Sequence, residues 1–163
     1  MGGSIALWIP RGIAERLRRE ADKLGVSLEE YVLELLLQDL DPPERARDYA
    51  EAAKSLIEKA GEELAKGGVR QAADKLWGAA ALAVKAYAAW RDGKRLTSHS
   101  ELWEYSRRLT DDLGEWVHDA WMNASAMHIC FYEGWCKREH VEQALGRVRR
   151  LVEEVASRVL ESL

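Results

Sequence analysis

Apolar positions recur every three to four residues along almost the whole chain, and that spacing predicts helices. The exception is the start. Ile5, Leu7 and Ile9 alternate with Ala6 and Trp8, a period of two that predicts one short strand ended by Pro10. Ile13, Ala14, Leu17 and Ala21 then mark a short helix, with Gly25 as its stop. Ser27 and Glu30 have capping-box spacing and open a second helix, whose apolar face is Leu28, Tyr31, Val32, Leu35 and Leu36. A strand, a helix, a glycine turn and a capped helix resemble a ribbon-helix-helix module.

After Asp41, Pro42 and Pro43 the pattern becomes long and regular. One helix carries Ala46, Tyr49, Ala53, Leu56, Ile57, Ala60 and Leu64 on a single face. Gly67 and Gly68 turn the chain into an alanine-rich helix that buries Val69, Ala72, Ala73, Leu76, Ala80, Ala83, Val84 and Tyr87. Ser98 and Glu101 form a second capping-box pattern, which starts a helix through Leu102, Trp103, Tyr105 and Leu109. Gly114 precedes a helix striped with Trp116, Val117, Ala120, Ala124, Met127, His128 and Phe131. Gly134 precedes the last helix, which runs from Val141 to Val159. The predicted fold is therefore all-α. Residues 1–40 form an N-terminal segment of one short strand and two short helices, expected to dimerise, and residues 41–163 form an antiparallel up-and-down bundle.

The 163 residues fit one compact domain, and 47% apolar content supports a packed core. No apolar run is long enough to span a bilayer and nothing reads as a signal peptide, so a cytoplasmic protein without membrane contact is expected. A net charge of −4 offers no global attraction to a polyphosphate, so any nucleic-acid surface must be local. Charged residues make up 32% while amides are scarce, a pattern common in proteins from hot environments. Cys130 and Cys136 argue against an oxidised secreted scaffold; buried small side chains are the simpler account of them, with a thermophile disulfide left open. Together with His128 and His140 they have poor spacing for zinc, and neither a metal nor another cofactor is expected.

Three strings carry a wider resemblance: WGAAALAVKAYAAWRDGKRLTSHSELWEY at 77–105, MHICFYEGW at 127–135 and the closing VEQALGRVRRLVEEV. In this order they resemble the archaeal PaREP family, a member of the HEPN group of helical bundles, over roughly residues 41–155. The resemblance implies homodimers paired through their bundles, and binding of nucleotides or RNA. Some HEPN proteins are metal-independent ribonucleases carrying an Arg, four to six residues, and then a His. In such a pair the His serves as acid or base and the Arg stabilises the charge of the transition state. Here His128 stands in the matching string, but the positions for the Arg hold Trp121, Met122 and Asn123. An enzyme is therefore not the leading expectation.

The basic turn Arg91, Lys94, Arg95 with His99, and His128 beyond it, form the expected ligand-binding set. The helix start at Ser98 would add backbone N–H groups for a phosphate. The leading expectation is a non-catalytic, dimeric nucleotide- or RNA-binding protein. A ribonuclease using His128, with Asn123 or Tyr132 on the phosphate, is one alternative. A protein-interaction or antitoxin-like scaffold is another. DNA is the weaker nucleic-acid partner. Arg11, Arg16, Arg18, Arg19 and Lys23 are outnumbered in the N-terminal segment by Glu15, Glu20, Asp22, Glu29, Glu30, Glu34 and Asp39. In addition, Ser4, Ala6 and Trp8 are poor readers of base edges.

Overall fold

The computed structural model describes residues 5–162, and over them the protein is helical. Its elements are α1 (Arg11–Leu24), α2 (Leu28–Leu37), α3 (Pro42–Ala65), α4 (Val69–Asp92), α5 (His99–Leu113), α6 (Trp116–Glu133) and α7 (Arg138–Glu161). Each predicted helix is present. The expected strand over residues 5–9 is not: its described residues run without strand pairing, with Ile5, Leu7 and Trp8 turned to solvent. The reason is physical. A strand forms through ladder hydrogen bonds to another strand, and the described residues contain no second one, so this exposed backbone is left to water. Ser4 lies outside the described residues.

Helix α4 is the axis of the bundle. Its side chains are buried almost all the way round from Ala72 to Ala89, which is what a helix apolar on every face requires. The alanines let α3, α6 and α7 pack around it, and α5 closes its last turns. Helix α3 folds back on α4 through Gly67 and Gly68, and α7 lies across both. Val141, Val148, Leu151, Val152, Val155 and Val159 of α7 are all buried.

Helices α1 and α2 pack on each other, and α2 meets α4. Gly25 adopts φ 68°, the left-handed conformation that the cap of α1 requires, and its N–H and that of Val26 close the last turn of α1. The Ser27 hydroxyl then accepts from Glu30 N at 3.1 Å, the half of the capping box that the serine supplies. Gly78 of α4 allows this approach, because a Cβ there would stand 3.2 Å from Ser27 Oγ and 3.1 Å from Leu56 Cδ1.

Buried charge ties α2 to the bundle. Lys85, buried in α4, places its Nζ 2.7 Å from Glu30 Oε1 and 2.8 Å from Glu34 Oε1. Tyr49 OH donates to Glu34 at 2.5 Å, and Arg95 reaches the other Glu34 oxygen at 3.2 Å. Burial disfavours the Lys85 ammonium, but the two facing carboxylates outweigh it and its pKa is raised. Burial likewise opposes ionisation of Glu34, yet Lys85, Tyr49 and Arg95 hold its pKa below the ordinary value. Residues of the N-terminal segment therefore pack against the bundle of their own chain.

Candidate functional site

The residues singled out in the sequence fall into two groups on opposite faces of α5. At 100° per residue, Glu101, Tyr105 and Arg108 share one side of that helix while His99 and Trp103 lie on the other.

The first group surrounds a cleft of about 520 Å³ between α5 and the segment after α4, lined by Asp92, Lys94, Arg95, Leu96, Glu101, Glu104, Tyr105 and Arg108. Its geometry begins with Gly93. At φ 62° this residue ends α4 in a left-handed cap, with its N–H on Ala89 O and that of Lys94 on Ala88 O. The chain then runs without regular secondary structure to Ser98, with Lys94, Arg95 and Leu96 across the cleft from α5. Tyr105 OH donates to Asp92 at 2.6 Å and ties the end of α4 to α5. Burial, then that carboxylate, raise the Tyr105 pKa and keep the phenol protonated.

The cleft lining is balanced in charge, with Asp92, Glu101 and Glu104 against Lys94, Arg95 and Arg108, and hydrogen bonds fix where two of those carboxylates lie. The Glu101 carboxylate accepts from Thr97 N at 2.6 Å and Ser98 N at 3.0 Å, which lowers its pKa and uses its lone pairs in the helix cap. Those two N–H groups are consequently not open to a phosphate at the start of α5. The Asp92 carboxylate is held by Tyr105. Arg95 leans on Glu34, while Arg108 and Arg91 share Asp112, each at 3.4 Å. No salt bridge to Lys94 occurs among the described residues. Lys94, Arg95 and Arg108 thus face one opening with Arg91 nearby.

The second group is aromatic. His128 of α6 lies 4.7 Å from the Trp77 ring, and His99 lies 5.4 Å from Trp77 and 5.9 Å from His128, all between centroids. Trp103 Nε1 donates to His99 Nε2 at 3.0 Å, so in this arrangement the His99 proton resides on Nδ1. Tyr132 meets His128 edge-on at 5.2 Å, and Trp121 packs on both Trp77 and Trp103. Burial, then the neighbouring His99, lower the His128 pKa below its ordinary 6.5. The Trp77 and Trp121 indole N–H groups are buried without a hydrogen-bond partner among the described residues.

Asn123, the other candidate for a phosphate contact, does not join the aromatic group. Asn123 donates to Asp119 O at 2.9 Å within its own helix. Arg70 reaches the end of α6 from α4, but its Nε and Nη2 donate to the Phe131 and Tyr132 carbonyls. Asp74, one turn before Trp77, was not foreseen. Burial, then the Glu29 carboxylate, push its pKa up to about 6. Only the fold brings Glu29 near it, so spacing along the chain carried no sign of the shift.

Cys130 and Cys136 are joined in a disulfide, with Cα atoms 5.6 Å apart. This corrects the reading of both as free small side chains. The bridge fastens the end of α6 to the turn before α7, where Arg70 also binds. Closing so short a loop is worth about 2 kcal/mol on the chain-entropy account. Reduction, or Cys136→Ser, is expected to lower the melting temperature by about 5 °C; calorimetry with and without a thiol reductant checks it.

Residues 48–152, the greater part of the bundle, match the model of the archaeal PaREP1/PaREP8 family. The chain belongs to that family. Among curated proteins and among solved structures nothing matches it. The match runs from α3 into α7 and so includes both residue groups, while α1 and α2 lie outside it. In this PaREP1/PaREP8 chain no described helix is long and apolar enough to cross a membrane. No metal-binding group of three or more His, Cys, Asp or Glu occurs among the described residues.

Proposed function

We propose that this protein is a non-catalytic, HEPN-type, dimeric binder of RNA or nucleotides, with the phosphate seated in the cleft between α5 and the segment after α4. The cleft carries the reading: Lys94, Arg95 and Arg108 converge on one opening, and among the described residues Lys94 has no ion pair. A polyphosphate there gains charge-assisted hydrogen bonds without first displacing an ion pair at Lys94. The aromatic group serves packing: the rings gathered round His128 are those of Trp77, His99 and Tyr132, and Arg70 beside them donates to the Phe131 and Tyr132 carbonyls. The ribonuclease reading is therefore the weaker one.

The N-terminal segment supports the dimeric part. Ile5, Leu7, Trp8 and Ile9 leave an apolar surface exposed that a second copy would cover. Glu29, Glu30 and Glu34 turn toward Lys75, Lys85 and Arg95 of the bundle, so much of the acidity of residues 1–40 is neutralised inward.

Anisotropy of labelled single-stranded RNA tests the proposal. Binding at about 50 mM salt should weaken log-linearly with added salt, with a slope of about −2 for three phosphate contacts. Lys94→Glu combined with Arg108→Glu should reduce affinity at least ~10-fold and flatten that slope, while His128→Ala should leave both unchanged. No binding of RNA or of a nucleoside triphosphate at low salt would overturn the reading in favour of a protein-interaction scaffold.

A further inference from the structure

Glu34 of α2 stands beside the cleft as an anion that the chain itself supplies. Arg95, which lines the cleft, donates through Nε and Nη2 to Glu34 Oε2 at 3.3 and 3.2 Å. Lys85 and Tyr49 hold the other oxygen, Oε1, so each oxygen of this carboxylate has its own partners. The Arg95 side chain is 34% exposed, so this end of the network meets solvent while Lys85 is buried.

One guanidinium thus faces two anions, Glu34 in α2 and a phosphate in the cleft. A phosphate seated there either takes donors from Glu34 or shares the guanidinium with it, and two anions on one cation repel each other. In both cases the hold of Arg95 on Glu34 weakens. Glu34 keeps Lys85 and Tyr49, so α2 is loosened and not expelled. Its far end is anchored, because Arg45 of α3 donates to Leu40 O at 2.7 Å. Helices α1 and α2 precede that anchor and pack on each other, so they can shift together. The division of the chain fits such a role. The cleft lies within the family match at 48–152, whereas α1 and α2, with Glu34, lie outside it.

We propose that Glu34 is an internal competitor for the cleft, so that docking of α2 on the bundle and binding of a phosphate at Arg95 oppose each other. The proposal rests on the cleft reading and adds that the N-terminal segment regulates that site. Such opposition is reciprocal: the factor by which ligand weakens α2 docking is the factor by which docking weakens ligand binding.

Hydrogen exchange and anisotropy on the full chain test it, with labelled single-stranded RNA as the probe. In the wild type, saturating RNA should speed amide exchange in α2 about fivefold and leave α3 and α4 unchanged. That factor is at the low end of allosteric couplings, since Lys85 still holds Glu34. Glu34→Gln should raise RNA affinity by about the same factor. Glu29→Gln removes an equal charge from α2, at a glutamate paired with Lys75, and should not. Equal gains in the two variants would reduce the effect to net charge and overturn the proposal. RNA that binds without faster exchange in α2 would also overturn it, and would leave the cleft reading standing. RNA that fails to bind at low salt overturns the cleft reading and this proposal with it. The exchange measurement uses the wild type, so it stays decisive even where Glu34→Gln does not fold.

Discussion

Lys85→Ala is expected to destabilise the fold by about 3–5 kcal/mol, the usual cost of removing one partner from a buried ion pair. Lys85 is 3% exposed and Glu30 0%, so the Glu30 carboxylate in particular cannot turn to water for compensation. Glu30 Oε2 already lacks a hydrogen-bond partner, and without the ammonium both oxygens of that group would be stranded. Because Glu30 and Glu34 belong to α2, the loss should fall first on the attachment of α1 and α2. Limited proteolysis should then cut between residues 11 and 40 before the bundle melts. Urea denaturation at neutral pH measures the size of the effect. Acid should have a parallel action in the wild type. The folded Glu34 pKa lies below its ordinary 4.5, so its contribution is present above that value and is lost as pH falls through the folded one. Replacing Lys85 and both glutamates with apolar side chains of similar volume should recover most of the loss. If Lys85→Ala unfolds at the wild-type urea concentration, the network does not hold α2.

Trp77→Ala should cost a similar ~3–5 kcal/mol, by opening a cavity at a completely buried position. Trp77 touches His99, Trp121 and His128, so the cavity would lie where α4, α5 and α6 meet. Part of the loss should be recovered by relief of the buried indole N–H, which has no acceptor among the described residues. A second readout separates this role from general destabilisation. Water entering the cavity should return the His128 pKa toward 6.5, measurable by NMR titration of its ring protons. The sign follows from linkage. With its folded pKa depressed, His128 binds fewer protons folded than unfolded, so wild-type stability falls as pH drops below 6.5 toward the folded value. That portion of the pH dependence should flatten in Trp77→Ala. An unchanged His128 titration would show that Trp77 does not cause its burial.

Helix periodicity and punctuation were legible because they are local. Gly25, Gly67, Gly114 and Gly134 all have positive φ, and each lies at a helix end that the pattern marks. Ser27 and Ser98 both cap their helices as the spacing predicts, since each serine needs only the first turn that follows it. At Ser98 the box is complete, with Glu101 reaching back. At Ser27 only the serine's half forms, because the Glu30 carboxylate is drawn to Lys85 instead. The strand over residues 5–9 failed for the complementary reason. Alternation shows that a segment suits a sheet but does not supply the strand it must pair with.

The candidate site was legible as a collection of side chains and not as an arrangement. Arg91, Lys94, Arg95, His99 and His128 could be named from the chain, yet the fold divides them between two faces of α5. Gly93 reverses the backbone, the segment after it runs beside α5, and the helix rotates His99 away from Lys94. The disulfide, the raised Asp74 pKa, the Lys85 network and the Trp77 cluster depend on partners distant in sequence or on burial. What the sequence determined alone was where helices start, stop and turn an apolar face, because those are short-range steric and hydrogen-bonding choices. What only the tertiary structure decided was which charges are paired and which remain available to a ligand, because pairing and desolvation depend on distances that the chain sets by packing.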